Sequence, residues 1–188
     1  MNGKLVIISA PSGAGKTTIV NHLLKEDLGL EFSVSATTRK PRGKEVNGKE
    51  YYFISADDFK SKINKGEFAE WEEVYKDQFY GTLKSEIERI WSDNRHVVFD
   101  VDAKGGISLK NIYRHQAISI FIMPPSVQEL EKRLIRRATE RIENISIRIE
   151  KAREEMNLAD MFDHIIINSD LDRAQKEVYE IVKSFLNL

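Results

Sequence analysis

From Lys4 to Lys25 the chain reads KLVIISAPSGAGKTTIVNHLLK, and few folds accept such a segment. Lys4 to Ala10 is a short continuous apolar run, as expected of a strand buried on both faces of a parallel sheet. Ile19, Val20, Leu23 and Leu24 then recur at helical spacing. Between strand and helix, SAPSGAGKTT ends as a phosphate-binding loop does, in Gly-Lys-Thr. The general pattern G-x-x-x-x-G-K-[ST] asks for glycine where Ala10 stands. In this loop type successive backbone N–H groups converge on a phosphate at a helix N-terminus, and the lysine adds a mobile positive charge. Gly13 and Gly15 allow a close approach, and the Thr17 hydroxyl can face a magnesium ion. Ala10 gives up only the freedom of a positive φ, and a residue before proline tends to be extended, where alanine is no obstacle.

The strand–helix alternation returns. HVVFDVD (His96 to Asp102), AISIFIM (Ala117 to Met123) and HIIIN (His164 to Asn168) are apolar runs, each followed by a stretch with helical character. This predicts an α/β fold with a parallel sheet. Pro124 and Pro125 end one strand, Ser126 is placed to cap the next helix, and Val127, Leu130 and Leu134 form its apolar stripe. A last helix over Asp170 to Leu188 is expected to bury Val178, Ile181, Val182 and Phe185. Residues 35–86 break the rhythm. They are rich in glycine, aromatics and charge, with turn signals at Pro41-Arg42-Gly43 and Asn47-Gly48, and read as a small insertion with its own strands.

Charge and cysteine content remove several function classes. Lys and Arg total 29 against 30 Asp and Glu, so no global positive field supports non-specific nucleic-acid binding, and any work done by cations must be local. Without cysteine there are no disulfides, thiolate metal sites or cysteine nucleophile. No run approaches the roughly 18 apolar residues of a membrane span. The 188 residues are expected to form one soluble, cytosolic domain without membrane or nucleic-acid partners.

The insertion says most about a second substrate. SATTRKPRGKEVNGKEYYF gathers Ser35, Arg39, Arg42 and Tyr51, and two arginines could fork around a phosphate. Glu70 follows in GEFAEW, and Tyr80 and Thr82 in YGT. Arginine, hydroxyl and carboxylate together look like a nucleoside monophosphate pocket. Asp100 and Asp102, two apart at a strand end, point to the same side, at the edge where α/β folds bind ligands. A pair of turn-forming aspartates is the bland alternative.

Over nearly its whole length the sequence resembles guanylate kinases. The resemblance is carried in order and spacing by SAPSGAGKTT, SATTRKPRGKEVNGKEYYF, GEFAEW, YGT, DVD, PPS, RATE and INSDLD. It implies a three-layer fold of the P-loop NTPase type, a parallel sheet with flanking helices. To this it adds a mixed α/β insertion (35–86) between core segments 1–34 and 87–188, and a helical lid at about 137–149. ATP would lie on Ser12, Gly13, Ala14, Gly15, Lys16, Thr17 and Thr18 with Mg2+ at Thr17, and Asn168 near the adenine unless that asparagine caps a helix. Arg39, Arg42, Tyr51 and Tyr80 would hold the phosphate of GMP, Asp100 would lie beside the phosphates and magnesium, and Asp102 beside guanine. Guanine offers N1–H and an N2 amino group to carboxylates whereas adenine presents an acceptor at N1, so Glu70 and Asp102 are expected to reject AMP. Ser35 and Thr82 are the expected hydroxyl partners of the base.

Arg133, Arg137, Arg141 and Arg148 can share a helical face. A solvated stripe is the ordinary reading of such spacing. Beside a transferring phosphoryl group such cations have a task, and the resemblance assigns it to Arg133, Arg137 and Arg148 together with Lys16 and Arg39, leaving Arg141 to solvent. Ala138 in RATE and Lys104 after DVDA depart from the family without removing a group the chemistry needs. The implied reaction is phosphoryl transfer from ATP to GMP; the rival of another class, a non-catalytic guanylate-kinase-like binding module, loses the phosphate loop, whereas Lys16 and Thr17 are kept here. A kinase of another small acceptor, such as a ribose bisphosphate, would keep the loop, and the set Ser35, Tyr51, Glu70 and Asp102 argues against it.

Overall fold

The structure is a computed structural model that describes residues 3–136 and 142–188, the side chains of 136 and 142–146 excepted. The expected lid residues Arg137, Ala138 and Arg141 lie outside the described residues, as do the side chains of Ile142 and Ile145.

Strand β1 (Leu5–Ser9) runs into the glycine loop and then α1 (Lys16–Leu23). It is the middle of a five-stranded sheet with β2 (Leu30–Phe32), β7 (His96–Val101), β8 (Ala117–Met123) and β9 (His164–Ile167), in the order β2-β7-β1-β8-β9. All four pairings are parallel. The apolar runs therefore fill both faces. Val6, Ile8, Val98, Ile120 and Ile122 pack in a cluster with residues of α1, α5 (Val127–Arg136) and α7 (Leu171–Leu186). Leu5, Ile7, Val97 and Phe99 face the other way, onto α3 (Lys84–Ser92) and α4 (Ala103–Tyr113). This is the α/β fold with a parallel sheet that the alternation predicts, in the three layers that the resemblance implies.

Ser126 caps α5, accepting from the Glu129 N–H at 3.1 Å, and Leu130 and Leu134 are buried. The last helix differs in detail from expectation. Val178, Val182 and Leu186 are buried, while Ile181 and Phe185 are half-buried at the margin of the core, because a surface helix turns only one stripe fully inward. The edge strand β2 was not among the expected apolar runs. It has three residues and carries Glu31 in its middle, too short a signal for periodicity to register.

The second sheet is mixed, ordered β4-β3-β6-β5, from β3 (Ala36–Thr37), β4 (Tyr52–Phe53), β5 (Phe68–Tyr75) and β6 (Gln78–Leu83). Both glycine turn signals take a positive φ, 55° at Gly43 and 82° at Gly48. α2 (Ala56–Asn64) is capped by Ser55 and brings Phe59 onto Phe68, with ring centroids 4.3 Å apart, to close a small separate core with Phe79. α6 (Ile142–Met156) has Ala152 and Ile149 packed on the main core. Among the described residues no helix is long and apolar enough to cross a membrane.

Ile120 lies fully buried in the centre of β8. Ile120→Ala should lower the unfolding free energy by about 2–5 kcal/mol in a urea titration with unchanged slope. A loss below about 1 kcal/mol would be at odds with a tightly packed sheet interior.

Candidate active site

Parallel register sets the geometry. Ile8 pairs with Asp100 and Ser9 with Val101, so the phosphate loop leaves β1 beside the carboxyl end of β7. Ala10 is buried and takes no positive φ, so alanine costs this loop nothing at that position. Gly13 and Gly15 do, at 91° and 98°. Gly15 has a second reason, since a methyl there would stand 2.5 Å from Asn168 Nδ2.

Lys16 Nζ lies 2.7 Å from Asp100 Oδ1 and donates to the Val101 carbonyl at 2.8 Å. The Thr17 hydroxyl donates to Asp100 Oδ2 at 3.1 Å. Burial by itself would lower the Lys16 pKa, but Asp100 outweighs it, and the ammonium titrates above its ordinary value. A carboxylate bridging lysine and threonine beside a helix N-terminus is an arrangement that suits a phosphate loop.

Two cavities meet here. The first, of about 260 Å³, has the loop residues Ser12, Gly13, Gly15, Lys16 and Thr17 on one side. Opposite stand Arg148, Lys151 and Glu155 of α6 and Tyr75 of β5. The second, of about 170 Å³, lies between the two sheets and is lined by Ser35, Tyr51, Glu70, Tyr80 and Asp100 among others. Lys16 and Asp102 line both.

In the second cavity β5 and β6 pair Glu70 with Thr82, and the Thr82 hydroxyl donates to Glu70 Oε1 at 2.7 Å. Thr82, fully buried, thus orients the carboxylate rather than facing the cavity itself. Burial pushes the Glu70 pKa up to about 7, against the Thr82 hydrogen bond and with the help of Asp102. Asp102 caps α4, accepting from the Gly105 N–H at 2.8 Å, so the bland reading of that aspartate holds alongside its place on the cavity wall. Asp100 has no such turn role and serves Lys16 and Thr17.

Arg39 stacks over the Tyr51 ring at 4.8 Å, and Tyr51 meets Tyr80 edge to face at 5.9 Å. Glu45, unforeseen from the sequence, grips the Arg39 guanidinium with both oxygens, at 2.6 and 2.8 Å. That hydrogen bonding holds the Glu45 pKa down to about 2. Arg42 is exposed; its backbone N–H donates to Glu45 at 2.7 Å, and its charge joins that of Arg39 in lowering the Glu45 pKa. Thr18 is exposed beyond the loop.

Asn168 does not cap a helix, a role that Asp170 fills for α7. It is 4% exposed, and its amide donates to the Ala14 carbonyl at 2.7 Å, stapling the loop to the end of β9. Arg133 donates to the Asn168 carbonyl at 3.1 Å and to Glu129 at 3.2 Å, which ties α5 to the same point. Glu155 was also missed. It faces the loop across the first cavity, and burial raises its pKa to about 7. Glu155 belongs to no motif, Glu45 has no role assigned in the motif that holds it, and only their placement singles them out.

The fold and these cavities define a phosphate-loop protein of the nucleotide-binding α/β class. A family model described as guanylate kinase matches residues 2–185. Guanylate kinase of Bacteroides thetaiotaomicron is 50% identical over 187 residues, covering 100% of this chain and 92% of that protein. That of Porphyromonas gingivalis is 48% identical, covering 97% and 98%. The crystal structure of guanylate kinase from Anaplasma phagocytophilum superposes with a TM-score of 0.78 at 28% identity, over 97% of this chain and 85% of the other. A shikimate kinase from Bacteroides thetaiotaomicron, at TM-score 0.52 and 12% identity, shares the fold. The chain belongs to the guanylate kinase family.

Glu70 holds its proton to pH about 7 in the folded protein, but only to its ordinary value near 4.5 when unfolded. Between these values the folded state binds more protons, so Glu70 makes stability fall as pH rises. Without nucleotides, Glu70→Gln should therefore gain about 2–3 kcal/mol relative to the parent between pH 4.5 and 7.5 in paired denaturant titrations. Parallel pH profiles for the two proteins would contradict the raised pKa.

Proposed function

We propose that the protein transfers the γ-phosphoryl group of ATP to GMP, giving ADP and GDP, and accepts dGMP as well. The observation that carries this reading is the pair of adjoining cavities: one on the phosphate loop and one built around Glu70 and Asp102, with Lys16 at their junction. ATP binds along Ser12 to Thr18, held by backbone N–H groups and Lys16, with Asn168 keeping the loop in shape. The GMP phosphate is taken by Arg39, Arg42, Tyr51 and Tyr80. For Arg39 that means exchanging Glu45 for the incoming phosphate. Ser35, Glu70 and Asp102 receive the base, and the donors on guanine favour the ionised form of Glu70.

Thr17 Oγ1 and Asp100 Oδ2 are hard oxygen donors 3.1 Å apart beside Lys16. This suits magnesium, which takes one or two protein oxygens and otherwise phosphates and water. Thr17 would hold the ion with Asp100 beside it, and bound there it would neutralise phosphate charge.

Little proton chemistry is required, and no general base is assigned. Catalysis comes from alignment of the two phosphates and from cations around the transferring group. Lys16 and Arg39 supply charge from the core and the insertion, and Arg133, Arg137 and Arg148 from the lid side. Arg148 lines the loop cavity already. Arg133 would exchange its bond to the Asn168 carbonyl for phosphate contact. The chain then divides into a core (1–34 and 87–188), a GMP-binding insertion (35–86) and a lid (about 137–149), whose closure excludes water as an acceptor. The setting is purine nucleotide metabolism in the cytoplasm.

A coupled assay of ADP release with ATP and magnesium should give rapid turnover on GMP and little on AMP, CMP or UMP. Lys16→Ala should lower kcat by about 10²–10³-fold or more with an unchanged melting temperature. Equal turnover on AMP and GMP would overturn the assignment of the acceptor, and a fully active Lys16→Ala that of the loop.

A further inference from the structure

We infer that Gly105 is a positioning residue for acceptor specificity: the absence of a side chain there sets how close the Glu70 and Asp102 carboxylates lie at the second cavity. The inference rests on the reading of Glu70 and Asp102 as the partners of the base.

Gly105 is buried in the first turn of α4, where its N–H donates to Asp102 Oδ1 at 2.8 Å. A methyl group on it would stand 2.8 Å from Glu70 Oε2 and 3.2 Å from Asp102 Oδ1. The first distance is shorter than carbon and oxygen tolerate, so one group must move. The helix backbone is the less free of the two, since it is anchored by the Asp102 cap and by Gly106 packed on β1, where an added methyl would stand 3.3 Å from an Ile7 methyl group. Glu70 is the mobile partner, a side-chain terminus. Its other oxygen is held by Thr82 at 2.7 Å, so displacement of Oε2 swings the carboxylate about that bond. The collision therefore falls on the orientation of a functional carboxylate and leaves the fold largely intact.

The backbone does not explain a glycine here. Gly105 has no positive φ, and glycine inside a helix is less favourable than alanine. Glycine at this position weakens the helix locally and lets a helix N-terminus approach a carboxylate on a neighbouring sheet. Two acidic groups brought side by side can then meet two donors on one edge of a planar base, a geometry sensitive to displacement of either.

The test compares Gly105→Ala, Glu70→Asp and the double variant with the parent, by steady-state kinetics and thermal melts. Gly105→Ala should raise KM for GMP about tenfold or more and narrow the preference over AMP, with KM for ATP and the melting temperature unchanged or the latter raised. Glu70→Asp withdraws the carboxylate by one methylene, so in that background the added methyl should cost much less than in the parent, a non-additive pair. An unchanged KM for GMP in Gly105→Ala while Glu70→Gln raises it would overturn the inference. So would additive effects, or a melting temperature lowered by several degrees, which would make Gly105 a packing requirement. If Glu70→Gln also leaves GMP binding and selectivity unchanged, the reading of Glu70 fails and the inference falls with it.

Discussion

The parallel pairing of β1 with β7 is the interaction on which both cavities depend. It aligns Ile8 with Asp100 and Ser9 with Val101, so the chain enters the phosphate loop beside the strand end that carries two aspartates. The Lys16–Asp100 contact at 2.7 Å and the Thr17–Asp100 hydrogen bond follow from that register. A slip by one residue would turn Asp100 to the opposite face and leave Lys16 without its carboxylate. Three further parallel pairings, one beyond β7 and two on the β8 side, make such a slip costly.

Charge is handled locally throughout the site. The chain has almost no net charge, and Lys16 and Arg39 are each neutralised by a carboxylate, Asp100 and Glu45. Partnering of this kind lowers the cost of holding cations in a half-buried cleft and leaves them to be handed from one anion to another. Glu70 and Glu155 are the reverse case. Burial raises both pKa values, at Glu70 against the Thr82 hydrogen bond and at Glu155 against the charges of Lys151 and Lys16. Asn168 and Arg133 complete the loop's surroundings by binding main-chain carbonyls, which joins β9, α5 and the loop in one hydrogen-bonded chain.

Legibility differed from residue to residue, and the differences have physical causes. The strands of the large sheet are readable because burial on both faces demands uninterrupted apolar runs. The loop is readable because close backbone approach to phosphate needs glycine at set positions. Pro41-Arg42-Gly43 and Asn47-Gly48 announced real turns, since positive φ favours glycine. Thr82 was expected near the base and Asn168 near the adenine; the structure adds that the Thr82 hydroxyl donates to Glu70 and the Asn168 amide to the Ala14 carbonyl. Their partners, Glu70 and the Ala14 carbonyl, are distant in sequence, and no local pattern encodes which hydroxyl or amide faces outward. Glu155 and Gly105 had no motif behind them, and Glu45, inside the arginine-bearing motif of the insertion, had no role assigned there; all three acquire meaning only from their neighbours in space.

Local chemistry in the sequence determined the class of fold, the position of the phosphate loop and most of the residue types around the acceptor, because periodicity, glycine conformation and donor–acceptor matching act over a few residues. Tertiary structure alone decided which carboxylate meets which cation, which polar side chains face a cavity and which stand behind another group, and where a glycine is needed for contact rather than for its backbone. Those outcomes depend on strand register and on the packing of α4 and α6 against the second sheet, and such long-range contacts leave no periodic trace in the chain.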